Sequence, residues 1–156
     1  MKRIFPFLIV LSVLFLATAC GSSTPTATQV PTSSAATEAP ATSDSENQVT
    51  VTLADNTIDA STTTFKVGVP YTFLISNTGR HAHNFNINPP VSVAGSLDQA
   101  LGSALLTVPQ EQLRVGKTAT VEFTFPDSAA GQLLEFSCLI RQHYEDGMHV
   151  DITVTK

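Results

Sequence analysis

The sequence predicts an all-β fold, an antiparallel β-sandwich with one short helix in a long crossover. Residues 49–156 contain short runs in which β-branched and aromatic residues alternate with polar ones, as in half-buried strands. Gly, Pro, Asn or Asp stand between these runs and mark turns. The region is also about the size of a small sandwich domain, roughly 100 residues.

Seven runs carry the alternation. They cover residues 49–54, 64–67, 72–76, 83–87, 118–125, 132–138 and 149–154. One segment, residues 96–106, breaks the pattern because Leu97, Leu101 and Leu105 recur every four residues, as on one face of a helix. We expect a short helix there, within the excursion over residues 88–115 that connects two strands.

The first 19 residues predict an export signal that the mature protein loses. Lys2 and Arg3 precede an apolar run over residues 4–15, and small residues lead to Cys20. This run is shorter than the roughly 20 apolar residues of a membrane-spanning helix, and a basic start with a small-residue cleavage site is typical of secretion.

The residues before Cys20 resemble the lipobox of bacterial lipoproteins, although Ala17 stands where leucine is usual. The resemblance implies cleavage before Cys20 and a lipid on its sulfur. We therefore expect a protein anchored to the cell membrane through Cys20, on the extracytoplasmic side. Plain cleavage to a soluble product is the alternative.

Residues 20–48 predict a disordered linker, because Ser, Thr, Ala and Pro dominate and almost nothing can form a core. Such a linker would let an anchored domain swing between partners. Without residues 1–19 the chain keeps six Lys and Arg against thirteen Asp and Glu, a formal charge of −7. This acidic balance excludes nucleic acid as a partner.

Cys138 gives the first indication of chemistry. The chain has two cysteines, and lipidation of Cys20 would leave Cys138 without a disulfide partner. In an exported protein such a thiol pairs between molecules, reacts or binds a metal. The spacing Cys138-x₄-His143-x₄-Met148 places a thiolate, an imidazole and a thioether in one loop. These donors suit copper, and a second imidazole would complete a trigonal plane with a weak axial Met.

The second imidazole is expected from residues 77–85, where one predicted strand ends and the next begins. His81 and His83 are both candidates, because residues two apart lie on the same side of a strand. His149 follows Met148 directly and is predicted to point the opposite way, towards the surface.

Together these segments resemble the cupredoxins, the blue-copper family, over the whole of residues 49–156. The resemblance rests on N-x-G-x-x-x-H-N-F at 77–85, K-V-G at 66–68 and F-x-C-x₄-H-x₄-M at 136–148. It implies a Greek-key sandwich that holds one copper ion (Cu⁺/Cu²⁺). The implied ligands are His83, Cys138, His143 and Met148.

The same resemblance decides two further points. The Asn-Phe pair that follows His83 aligns with the family and favours His83 over His81. Asn84 is implied to join the two ligand loops through hydrogen bonds near the cysteine sulfur, and such outer contacts tune a metal site.

The implied function is transport of single electrons rather than catalysis, because protein donors fill all four positions and leave none for a substrate. The implied partners are a redox donor and a redox acceptor, bound transiently by a monomer. The alternative is a copper chaperone or store of the same fold. Exported copper chaperones tend to be methionine-rich, whereas Met148 is the only methionine after the predicted signal.

Overall fold

The computed structural model describes residues 47–156, so the predicted export signal, Cys20 and all but the last residues of the predicted linker lie outside the described part. No helix within residues 47–156 combines the length and the apolar character needed to cross a membrane.

The described chain contains nine strands and three short α-helices. The strands are β1 (Gln48–Ala54), β2 (Thr57–Ala60), β3 (Thr64–Lys66), β4 (Pro70–Asn77), β5 (Phe85–Asn88), β6 (Leu106–Val108), β7 (Thr118–Thr124), β8 (Leu134–Ser137) and β9 (His149–Thr155). The helices are α1 (Val91–Ala94), α2 (Leu97–Gly102) and α3 (Arg141–Glu145). A single 3₁₀ turn at Asp127–Ala129 leads into β8.

The strands form two sheets that enclose one core, which confirms the predicted β-sandwich. The first sheet has the order β2-β1-β4-β7, and the second has the order β3-β9-β8-β5-β6. Apolar side chains alternate along β1, where Val49, Val51 and Leu53 are buried and the residues between them are more exposed. Phe73 of the first sheet meets Phe136 of the second at a ring-centroid distance of 5.8 Å.

The pairing is mixed rather than purely antiparallel. β1 runs parallel to β4, and β3 runs parallel to β9. The first pair is parallel because β3 belongs to the other sheet, so the chain leaves and re-enters the first sheet instead of turning back in a hairpin. The remaining pairs are antiparallel, as predicted.

The predicted helix exists but is shorter, and its predicted apolar face is wrong. The Ser96 side chain caps α2 by accepting a hydrogen bond from the Gln99 N–H at 3.2 Å. Six residues make fewer than two turns, and they bury only Ala100, whereas Leu101 remains 44% exposed. Leu105 lies beyond the helix, directly before β6.

A cluster of aromatic rings fills the centre of the sandwich. Phe65 of β3 stacks on Phe125 at 4.9 Å between ring centroids and meets Tyr71, Phe136 and Phe73 at 5.1, 5.6 and 5.8 Å. The Phe65 side chain is only 1% exposed. Offset and edge-on rings at these distances stabilise one another beyond their buried area.

Replacing Phe65 by alanine is expected to lower the free energy of unfolding by about 3–5 kcal/mol, because it removes a buried ring and leaves a cavity. Denaturant unfolding of the full-length chain measures the loss. Leu133→Ala is the control, since Leu133 is 68% exposed and its truncation should change the free energy of unfolding little. Equal losses in both variants would contradict this assignment of the core.

Candidate metal centre

Three donor atoms converge at one end of the sandwich. The Nδ1 atoms of His83 and His143 lie 3.1 Å apart, and the Cys138 Sγ lies 3.9 Å and 3.5 Å from them. A point equidistant from the corners of this triangle is about 2 Å from each, close to the roughly 2.0–2.3 Å of metal–nitrogen and metal–sulfur bonds. The donors therefore fit a single metal ion between them, and their chemical types suit copper.

The ends of four strands place the predicted ligands. His83 lies in the loop between β4 and β5, two residues before Phe85 begins β5. Cys138 directly follows β8, His143 lies within α3, and Met148 directly precedes β9. The strand predicted to begin at His83 is therefore shorter and begins at Phe85. Because His81 and His83 both lie in the loop before it, the argument that they share a strand face no longer applies.

Backbone hydrogen bonds close the loop over residues 138–148, which carries three of the predicted ligands. The Cys138 N–H donates to the Met148 carbonyl oxygen at 3.0 Å, and the Met148 N–H donates to the His143 carbonyl oxygen at 3.0 Å. Helix α3 (Arg141–Glu145) lies inside this loop and carries His143. Met148 is fully buried, and these bonds place its backbone beside both other ligands of the loop.

The loop that carries His83 is held by Asn77. This buried amide donates to the carbonyl oxygens of His81 at 2.7 Å and Leu113 at 2.8 Å, and its Oδ1 accepts from the Gly79 N–H at 2.8 Å. The His83 N–H also donates to the Leu113 oxygen at 3.2 Å. The N-x-G part of the motif is therefore a rigid turn that orients His83.

Gly79 is required by a close approach. A Cβ atom at this position would lie 2.7 Å from Asp55 Oδ1 and 3.0 Å from His83 Nε2. His83 Nε2 is buried against this glycine and has no hydrogen-bond partner among the described residues. The imidazole therefore turns Nδ1, and not Nε2, towards the Cys138 sulfur.

Asn84 joins the two loops, as the family resemblance implies. Its Oδ1 accepts from the Leu139 N–H at 2.8 Å and from Asn86 Nδ2 at 2.9 Å. Asn84 is adjacent to His83, and Leu139 is adjacent to Cys138. The first of these bonds therefore fixes the separation of the two ligands.

Burial sets the protonation of the donors. It raises the pKa of the Cys138 thiol, and backbone hydrogen bonds from Ile140 and Asn84 to the sulfur oppose that rise only in part. It also lowers the pKa of His83, with help from the charge of His143. At neutral pH the thiol is therefore protonated and the His83 imidazole is neutral and able to bind a metal.

The remaining histidines lie outside the cluster. The His81 side chain is 65% exposed, and its Nδ1 lies 3.3 Å from Asp55 Oδ1. The His149 side chain is 40% exposed, but it is not only a surface group as predicted, since its ring stacks on Tyr144 with centroids 4.6 Å apart. Its Nδ1 lies 3.6 Å from the buried Glu135 carboxylate.

Access to the centre is one-sided. His83, Cys138 and Met148 are at most 1% exposed, whereas His143 is half-buried. Of the four predicted ligands, His143 is thus the one that another molecule can contact.

Comparison with solved structures identifies the architecture as the cupredoxin fold. The dithionite-reduced auracyanin of the photosynthetic bacterium Roseiflexus castenholzii is 21% identical, with a TM-score of 0.56 over 70% of this chain and 98% of that one. Auracyanin A, a "blue" copper protein of Chloroflexus aurantiacus, is 21% identical, with a TM-score of 0.52 over 69% of this chain and 99% of its own. Auracyanin B is 20% identical, with a TM-score of 0.52 over 70% and 88%. No protein-family profile and no curated protein matches the sequence.

Binding of one Cu²⁺ ion at pH 7 is expected to release about one proton, because the metal binds the thiolate and the raised pKa keeps Cys138 protonated beforehand. Affinity should fall as the pH is lowered. A pH indicator in weakly buffered full-length protein measures the release. Cys138→Ser is the control and should release none, and copper uptake by the unaltered protein without acidification would contradict the prediction.

Proposed function

We propose that this chain is a one-copper electron carrier. The observation that carries the proposal is the triangle of His83 Nδ1, His143 Nδ1 and Cys138 Sγ, closed at one end of a cupredoxin fold. Met148, buried and bonded through its backbone into the same loop, completes the donor set. Copper held by these residues would supply single-electron redox chemistry.

The protein's contribution to this chemistry is rigidity. Backbone bonds between Cys138, His143 and Met148 close the loop, and the Asn84 side chain fixes its distance from His83. Donors held in this way keep nearly the same places in both oxidation states, so little rearrangement accompanies gain or loss of an electron. The half-buried edge of His143 offers the shortest way to a docked partner.

Two observations support a carrier rather than an enzyme or a store. Four protein donors leave no position for a substrate, whereas catalytic metal sites keep one open. Burial of three of these donors hinders exchange of a bound ion with other proteins. Auracyanin A, with the same fold, is a "blue" copper protein.

A redox donor and a redox acceptor, bound transiently by a monomer, are the partners we propose.

We further propose that the carrier is tethered to the outer face of the cell membrane. The support is the sequence before and at Cys20, which resembles a lipobox and follows an export signal. The Ser/Thr/Pro/Ala-rich segment over residues 21–48 would then give the domain its reach.

The copper proposal predicts that the full-length chain loaded with Cu²⁺ shows an intense visible thiolate-to-copper band and a reversible one-electron wave. Cys138→Ser should abolish the band. His83→Ala should weaken copper binding by about 100-fold or more, since even outer partners of a metal site are worth 10–100-fold. Absorption spectra and voltammetry measure both effects.

The matched control is His81→Ala, which removes an imidazole two residues away and should leave the band and the wave intact. Loss of the band in His81→Ala but not in His83→Ala would overturn the ligand assignment. Tight Cu⁺ binding without a band would favour a copper store, and a Cys138→Ser variant that keeps every property would exclude both copper functions.

The tether predicts that Cys20→Ser moves the protein from the membrane fraction to the soluble fraction of an expressing bacterium. The expected reason is loss of the thiol that carries the lipid. Immunoblotting of both fractions measures the distribution, with Ser22→Ala as the control because it leaves Cys20 and the preceding residues intact. A Cys20→Ser protein that stays in the membrane would contradict the tether.

A further inference from the structure

A layer of buried polar side chains lies on the outward face of the second sheet. In β5 and β8 the core-facing residues are apolar, and alternation predicts that the residues between them meet solvent. Those residues are nevertheless at most 1% exposed. They are Asn86 and Asn88 of β5, and Glu135 and Ser137 of β8.

Hydrogen bonds run through this layer from Asn84, in the loop that carries His83, to a buried carboxylate. Asn86 Nδ2 donates to Asn84 Oδ1 at 2.9 Å and to the Ser137 carbonyl oxygen at 3.2 Å. The Ser137 hydroxyl donates to Asn88 Oδ1 at 2.6 Å, and Asn88 Nδ2 donates to Glu135 Oε1 at 3.2 Å. The layer therefore ends at Glu135.

Glu135 is also joined, through Tyr144, to the other ligand loop, which carries Cys138, His143 and Met148. The Tyr144 hydroxyl donates to Glu135 Oε2 at 3.3 Å and accepts from the Val91 N–H at the start of α1 at 3.1 Å. The face of the Tyr144 ring stacks on His149, with planes 22° apart. One side chain of α3 is thus fixed by the sheet, by the excursion after β5 and by β9.

Removal of this link would leave a buried carboxylate short of a donor. A buried polar group without its partner costs free energy comparable to its lost solvation. The Tyr144–Glu135 bond therefore resists opening. Tyr144 is also tied into α3, since its N–H donates to the Ile140 carbonyl oxygen at 2.9 Å, and it directly follows His143.

We propose that Tyr144 and Glu135 are positioning residues that clamp α3 against the sheet and so hold the His143 imidazole in its place beside Cys138 and His83. The inference deepens the proposed function and rests on it for the role of His143. It assigns to Glu135 a part in electron transfer that is exerted only through Tyr144.

The alternative is that the two residues contribute to stability alone. The chain provides a matched control for this, because Tyr71 is its other tyrosine and its hydroxyl also accepts a backbone hydrogen bond, from the Lys66 N–H at 3.0 Å. Tyr71 belongs to β4 and packs in the aromatic cluster around Phe65. Tyr144→Phe and Tyr71→Phe each remove one hydroxyl and keep the ring.

The experiment compares both variants as full-length protein, without metal and loaded with Cu²⁺. In the metal-free protein, amide hydrogen exchange of residues 143–148 should accelerate roughly tenfold in Tyr144→Phe, the change expected for the loss of one buried hydrogen bond. It should not accelerate in Tyr71→Phe. Glu135→Gln should act in the same direction as Tyr144→Phe, and the double variant should add little to either single change.

In the copper-loaded protein, Tyr144→Phe should broaden the copper EPR lines and slow electron self-exchange several-fold, while Tyr71→Phe keeps both at the wild-type values. Wild-type EPR lines, self-exchange and hydrogen exchange in Tyr144→Phe would overturn the clamp. Failure of the unaltered chain to bind copper would overturn the proposed function instead, and hydrogen exchange in the metal-free protein would still decide whether the clamp exists.

Discussion

The arrangement of the metal centre depends on one hydrogen bond, from the Leu139 N–H to Asn84 Oδ1 at 2.8 Å. It joins two loops that are 55 residues apart in sequence, and its two ends are the neighbours of His83 and Cys138. Asn86 Nδ2 donates to the same Asn84 oxygen. The Asn84 side chain therefore cannot rotate away without leaving buried polar groups unpaired. Such groups are costly inside a protein, and this cost fixes the distance between the ligands.

The packed core of the sandwich supports both ligand loops. Phe85 lies two residues after His83, and Phe136 lies two residues before Cys138. Their rings meet at a centroid distance of 5.1 Å in the core beneath the site. Close-packed interiors are hardly compressible, so both ligand loops start from strand ends that deform little. The rigidity that the proposed electron transfer requires is therefore a property of the whole β5–β8 pair.

The sequence was informative wherever the chemistry was local. The Cys138, His143 and Met148 spacing lies in one loop, and alternation located seven strands. The choice between His81 and His83 could not rest on alternation, because both precede β5 in a loop. Helices α1 and α3 and strands β2 and β6 escaped prediction since three to five residues carry no clear period. The burial of Asn88 and Glu135 was unpredictable for a different reason, because here the period is clear and assigns outward residues to solvent. Tyr144 and the excursion after β5 cover these residues, and that tertiary contact cannot be read from alternation.

A buried carboxylate is poor evidence of stabilisation, because an apolar layer of the same volume is often at least as stable. Burial raises the pKa of Glu135, and hydrogen bonds from Tyr144 and Asn88 with the charge of His149 offset only part of that rise. The polar layer therefore costs stability that the sandwich core has to offset. The layer fixes the orientation of α3, because the hydrogen bonds to Glu135 allow only a narrow range of geometries. Apolar contacts tolerate a wider range of positions. An excursion that sealed the sheet with leucines would cover β5 and β8 equally well, but it would leave α3 free to shift beside the metal.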